Sequence, residues 1–361
     1  MNTKTASLKI ALGTIALVGG LSWAASVPSS ASSTTTIPST STTSGGLIED
    51  GPSRAECLVP NVSRNGLVAL QSSINSFDEL TRTTVSCISV YLNGAPTWTS
   101  WVHPWVTDPD IGYSTWVSES PQSRELVLQV DLIPLSLKDL TNPLSWEKSC
   151  AAGKFDSYAI QLGNNLVAAG LQDSVIRLGP EMNGTWETDF VGTTPSEQRL
   201  WARCFDNEAT GLRRAAGGHF LIDWNPNACK YSLPFARLYP GNAYVDIMGL
   251  DLFDASCLAP QEPYSFARLE HEPAGLSSFE AFATAHKKPM SLPEWGLSTI
   301  PIGDDPQYID GIGSAFDTKD FAFETYFDST DGASGKALPL GPRTPLSIPA
   351  FQRWFGNSGK S

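Results

Sequence analysis

Two glutamates stand where a carboxylate can act on a bond held between them. Glu181 follows the run Val175-Ile-Arg-Leu178 and the stop Gly179-Pro180, and Glu294 follows the later run Pro289-Met-Ser-Leu292. A pair of Asp or Glu side chains flanking a glycosidic oxygen supplies what its cleavage requires, one as proton donor and the other as nucleophile or base. With the two carboxyls about 5–5.5 Å apart, the second attacks the sugar directly and configuration is retained. The donor must keep its proton near neutral pH, and apolar walls with a neighbouring anion achieve that. Trp186 and the second glutamate are placed to provide both.

Other groups with binding chemistry gather at similar strand ends. Asn183 and Trp186 share the loop with Glu181, Trp224-Asn225 closes another apolar run, Asp251 lies near the end of Val245–Phe253, and Trp295 adjoins Glu294. The polar members read as partners for sugar hydroxyls and the rings as stacking platforms. For Trp224 a core position reads equally well. Trp98, with Trp101 and Trp105, belongs to an aromatic loop that is either an outer subsite or a structural patch. Asp251 reads as orienting a partner, and Asp246 as orienting a partner or capping a turn. Arg177 sits mid-strand and is expected to be buried in a structural ion pair, because an interior charge needs a partner. His219 and His286 read as surface or capping residues.

Short buried strands alternating with helices must position these groups. Strands are expected at Gly66–Gln71, Val85–Tyr91, Glu125–Ile133, Val175–Leu178, His219–Trp224, Val245–Phe253, Pro289–Leu292 and Phe321–Phe327. Helical spacing marks Phe77–Leu80, Phe155–Ala169 with Gly170 as its stop, Pro195–Gly211 and Phe279–His286. Thr194, Pro195 and Glu197 form a helix-start signature. Eight buried strands with intervening helices give an α/β fold, a (β/α)8 TIM barrel. Residues just past the carboxyl ends of its strands form the active face.

The 361 residues divide into three expected segments. Residues 1–31 read as a signal peptide, with a basic start, an apolar stretch over Ile10–Trp23 and small residues near Ala25 and Ala31 for cleavage. Residues 32–50 form a Ser/Thr/Pro-rich linker, a tether or spacer too polar to fold. Residues 51–361 carry the barrel. A net charge of −13 argues against nucleic acid and anionic membranes as partners. Eleven Trp, nine Tyr and only 17% charged residues suit a neutral, ring-shaped ligand. Six cysteines in an exported chain imply disulfides, for which the chain order suggests Cys57–Cys87, Cys150–Cys204 and Cys229–Cys257. No C-x-x-C pair or Cys/His cluster suggests a metal, and no glycine-rich phosphate loop suggests a nucleotide, so no cofactor is expected.

The segment Arg177-Leu-Gly-Pro-Glu181-Met-Asn-Gly-Thr-Trp186 resembles the fourth-strand motif of glycoside hydrolase family 26, the β-mannanase family. Tyr244-Val-Asp-Ile-Met-Gly-Leu-Asp251-Leu-Phe253 resembles its sixth strand, and Lys288-Pro-Met-Ser-Leu-Pro-Glu294-Trp-Gly its nucleophile strand. The order of elements is similar from Gly66 to Phe327. Carried over, the resemblance makes Glu181 the general acid/base and Glu294 the nucleophile of a retaining mechanism. Two positions depart from the family: its His before the acid/base is Pro180, and its Tyr on strand six, a partner of the nucleophile, is Phe253. Asn183, Asp251 and His103 are candidates to replace the missing polar groups.

The reading that results is a secreted or surface-associated, monomeric endo-β-glycanase of β-mannanase type acting on a neutral polysaccharide, with no membrane contact after signal cleavage. Two alternatives stand beside it. One is a β-glucanase or xylanase of the same clan. The other is a non-catalytic or weakly active carbohydrate-binding protein on a degenerate hydrolase barrel.

Overall fold

The computed structural model describes residues 55–62, 66–138, 144–228, 234–256, 265–299, 302–330 and 337–357. The expected signal peptide, the linker and the Cys229–Cys257 pair lie outside the described residues. The eight barrel strands are β1 (Ala55–Val59), β2 (Cys87–Tyr91), β3 (Glu125–Val130), β4 (Val175–Leu178), β5 (Leu221–Trp224), β6 (Ile247–Gly249), β7 (Met290–Ser298) and β8 (Phe321–Phe327). Each pairs in parallel with the next, and β1 pairs with β8 from Ala55↔Phe323 to Val59↔Phe327, closing the sheet. This is the expected (β/α)8 barrel. A two-residue strand, Leu252–Phe253, extends the wall beside β7, and Ala337–Leu338 adds an antiparallel edge to it.

Alternation along each strand sorts side chains between two cores. Outward residues such as Leu58, Ile88, Leu128, Ile176 and Met248 pack with the helices in one large cluster. Inward, Ala55, Cys57, Cys87, Val127, Val175, Ile247 and Phe323 fill the lower barrel. Above them the register Tyr91↔Gln129↔Arg177↔Asp223 brings a polar layer round the wall. The Cys57–Cys87 disulfide joins two register partners of β1 and β2. Cys150–Cys204 ties the helix Leu144–Ala151 to the helix Pro195–Leu212. Both bridges match the pairs expected from chain order.

The first expected strand is wrong. Gly66–Gln71 lies at the start of a helix, Leu67–Thr81, whose buried residues Leu70, Ile74, Phe77 and Thr81 recur at helical spacing. A short apolar run fits either element, and here the longer period decides. The true first strand, Ala55–Val59, carries Glu56 as its second residue, which masks its apolar character.

The seventh strand runs further than expected. Pro293 does not end it but sits where the register to β8 shifts between Leu292 and Trp295. Proline has no N–H for the ladder and is tolerated at such an irregularity. Room for it comes from Gly249, where a Cβ would lie 2.6 Å from the Pro293 ring. Glu294 is therefore a residue within the strand.

The expected helix start at Thr194 is a full capping box: the Thr194 side chain accepts from Glu197 N, and the Glu197 carboxylate accepts from Thr194 N. Among the described residues no helix is long and apolar enough to cross a membrane.

Candidate active site

Arg177 points from β4 into the barrel and is fully buried. Its Nε donates to Asn225 Oδ1 at 3.1 Å, and Nη2 donates to the same oxygen and to Asp251 Oδ2 at 2.9 Å. Nη1 donates to Gln129 Oε1 at 3.2 Å and to Glu294 Oε1 at 2.8 Å. All five donors are used, so one guanidinium links β3, β4, the turn after β5, the segment after β6 and β7. Burial opposes its charge, but Asp251 and Glu294 beside it outweigh that and hold it protonated. This is the structural ion pair expected for Arg177, and it fixes the Glu294 carboxylate as a by-product.

Beyond β4 the chain turns sharply. Gly179 has φ +55° and Glu181 φ +45°, a left-handed conformation that non-glycine residues seldom adopt. A Cβ on Gly179 would lie 2.8 Å from the Trp201 ring, so both conformation and space demand glycine. The Glu181 N–H donates to Asn225 O at 2.7 Å and its carbonyl accepts from Gly184 N at 2.6 Å, which holds the turn against β5. Its carboxyl accepts from Trp186 Nε1 at 2.6 Å and from Asn227 Nδ2.

Electrostatics separate the two glutamates. Glu294 has an ion pair with Arg177, whereas Glu181 takes hydrogen bonds only from neutral donors. Burial, then the Glu294 charge, raise the Glu181 pKa, and the bonds from Asn227 and Trp186 only partly oppose this. One guanidinium thus faces Asp251, Glu294 and Glu181, and Glu181 is the carboxyl that takes no hydrogen bond from it. Burial pushes Asp251 well above the ordinary carboxylate range, and Arg177 only partly opposes this.

Tyr91, at the end of β2, also belongs here. Burial and then the Glu294 charge push its phenol well above the ordinary range. Its ring packs edge-on against Phe327 at 6.0 Å, and Phe327 packs against Phe253 at 5.7 Å.

The structure brings together Glu181, Asn183, Trp186, Asn225, Asp251 and Glu294. Trp186 is 47% exposed beside Glu181 and open to a ligand. Asn183 is buried, and its amide exchanges two 2.8 Å bonds with the backbone of Asn227. It therefore holds the loop that presents Asn227 to Glu181. Asn225 and Asp251 orient Arg177.

Trp224 and Trp295 do not reach the site. Both are fully buried on the outward face, Trp224 among Phe235, Tyr239, Phe279 and Phe282, and Trp295 against Tyr326 and Phe351, with its indole N–H on Glu324. The reason is the two-residue period: neighbours of inward Asn225 and Glu294 must point outward. One face of Trp98 is covered by Tyr158, stacked at 4.1 Å, and its other ring partners are Trp101 and Phe155, which favours the structural patch. His103 meets Asn165 on the helix Asp156–Ala168, away from the glutamates, so it does not replace the polar group lost at Pro180.

Sequence reasoning missed Tyr91, Gln129 and Asn227 as site residues. Tyr91 and Gln129 carried a signal in their inward phase, since Gln129 interrupts an apolar strand. Asn227 was legible only as part of a turn, Asn225-Pro-Asn227.

A second carboxyl group of residues lies beside the first. Asp131, after β3, and Glu187 and Asp189, in the Glu181 loop, place one oxygen each within 4.8 Å of one another. Asp131 Oδ2 accepts from Gly94 N at 2.9 Å and Asp189 Oδ2 from Leu132 N at 2.7 Å. Burial raises all three, Asp131 to about 6, Asp189 to about 8 and Glu187 to about 9, with Asp131 adding to Asp189 and Asp189 to Glu187. Asp189 and Glu187 hold protons at neutral pH, and the Asp131 and Asp189 bonds tie the Glu181 loop and the loops after β2 and β3 together.

No family model and no curated protein sequence matches the chain. Solved structures do match. A β-mannanase of glycoside hydrolase family 26 from Bacteroides ovatus superposes with a TM-score of 0.55 at 13% identity, covering 78% of this chain and 82% of its own. A modular endo-β-1,4-mannanase from Cellulomonas fimi gives 0.56 at 16% identity, over 84% and 70%. The family 26 domain of an endo-β-mannanase/endo-β-glucanase from Prevotella bryantii gives 0.53 at 13%, over 86% and 90%. The chain shares the barrel fold of these enzymes.

Proposed function

We propose that the chain is a retaining endo-β-glycanase of β-mannanase type, exported to act on a neutral β-linked polysaccharide. The observation that carries this reading is the unequal environment of two glutamates in one barrel mouth. Glu294 is ion-paired with Arg177, whereas Glu181 takes hydrogen bonds only from neutral donors and has its pKa raised by burial and by the Glu294 charge. The likeness of fold to three mannanases supports the substrate class.

The chemistry follows from these environments. Glu294 attacks the anomeric carbon while Glu181 gives its proton to the leaving glycosidic oxygen, forming a glycosyl ester on Glu294. Glu181, now a carboxylate, removes a proton from water, which attacks the same carbon and releases Glu294. Trp186 offers a ring face for a sugar next to the acid.

Reducing-sugar release from mannan, xylan and mixed-linkage β-glucan tests the proposal, with Glu181→Gln and Glu294→Gln as controls. Release from mannan that depends on both glutamates is the expected result. Release from xylan or β-glucan alone would keep the hydrolase and change the substrate. Silence on every polymer, with retention on a polysaccharide affinity gel, would assign a binding protein, the reading that Pro180 and Phe253 favour.

A further inference from the structure

Phe253 leaves the nucleophile without a hydroxyl partner from the sixth-strand side, and the barrel offers one from the other side. Tyr91 ends β2 on the inward face, in register with Gln129 of β3, which is itself in register with Arg177. Gln129 and Glu294 share Arg177 Nη1 at 3.2 and 2.8 Å. Tyr91 is thus one strand away from the groups that hold the nucleophile. Its ring is wedged against Phe327, and its hydroxyl is buried, with Glu294 the side chain whose carboxylate acts on it. A hydroxyl that merely filled space there would cost free energy for its lost hydration.

We propose that Tyr91 is a positioning residue for Glu294, its O–H donating to the carboxylate and fixing the orientation in which it attacks. The proposal rests on the hydrolase reading for its consequence in catalysis, but the pairing itself does not require turnover. Five groups then act on Glu294: Arg177 from β4, Asp251 after β6, Glu181 and Glu187 after β4, and Tyr91 from β2.

Tyr91→Phe removes only the hydroxyl. Carbon-13 NMR of carboxyl-labelled glutamate, with Glu294 assigned by the signal lost in Glu294→Gln, should show the Glu294 pKa rising by about one unit in the variant. On the substrate found by the polysaccharide panel, kcat should fall about 10- to 100-fold with KM little changed, and the acid limb of kcat/KM should move to higher pH. A merely structural tyrosine predicts the opposite pattern, since loss of an orphan hydroxyl leaves the titration unmoved and the fold as stable or more so. An unchanged Glu294 titration overturns the proposal whether or not the chain hydrolyses a glycan. A shifted titration without turnover on any polymer keeps the pairing and sinks the hydrolase reading instead. The reciprocal measurement, a changed Tyr91 Cζ shift in Glu294→Gln, decides the matter if Tyr91→Phe does not fold.

Discussion

The indole N–H of Trp186 donates to Glu181 Oε2 at 2.6 Å while the same ring stands 47% exposed at the mouth of the barrel. One side chain therefore both tunes the proton donor and offers a surface to a ligand. Trp186→Phe separates these roles. The lost bond had been lowering the Glu181 pKa, so its removal lets that pKa rise further. The basic limb of the pH–rate profile should move to higher pH, and KM should rise less than it would in Trp186→Ala. A basic limb that stays in place would show that the bond is not made in solution.

The two glutamates should fail in different ways. Glu181→Gln should lower kcat by about 10²- to 10⁴-fold on a natural glycan, the usual worth of general acid–base catalysis, and much less on an aryl glycoside whose leaving group needs no proton. Glu294→Gln should abolish turnover on both. Circular dichroism spectra should match that of the wild type.

Arg177 bears on stability as much as on the site. Arg177→Met would leave Asp251 and Glu294 buried without their cation, and breaking such a pair costs about 3–5 kcal/mol. Thermal unfolding should show a large drop in Tm. Asp251→Asn should cost less, because Asn225 and Gln129 still accept from Arg177 and Glu294 still pairs with it.

Asp131, Asp189 and Glu187 predict an unusual dependence of stability on pH. Their folded values of about 6, 8 and 9 lie above the ordinary carboxylate values of 3.8 and 4.5. Between about pH 4 and pH 9 the native state therefore holds protons that the unfolded chain releases. Stability contributed by these groups is complete below the unfolded values and is lost as pH rises through the folded ones. Tm should be higher at pH 5 than at pH 8, and Asp189→Asn, a neutral mimic of the protonated form, should flatten the slope. A Tm that climbs from pH 5 to pH 8 would contradict this account.

Trp224 tests the sorting of the rings. Trp224→Ala empties a fully buried site among Phe235, Tyr239, Phe279 and Phe282 and should cost about 3–5 kcal/mol. Where the variant remains folded, its KM for polymer should match that of the wild type.

The barrel was legible in the sequence because its evidence is local. Apolar runs such as Val175–Leu178 and Phe321–Phe327 mark buried strands, and Thr194-Pro195 with Glu197 marks a helix start through groups within one turn of each other. The two glutamates stood out for the same reason, each beside the end of such a run. The chain order even suggested the two disulfides seen among the described residues.

What tertiary structure alone decided was which way each side chain faces and what it meets there. Trp224 and Trp295 sit beside site residues in sequence and on the opposite side of the wall in space, because a strand reverses direction at every residue. Pro293 looked like a stop and is a bulge, since Gly249 on the neighbouring strand yields the space. Tyr91, Gln129, Arg177, Asn225, Asp251 and Glu294 come from six separate stretches of chain. No local pattern could join them, because a buried charge recruits partners by distance across the closed barrel.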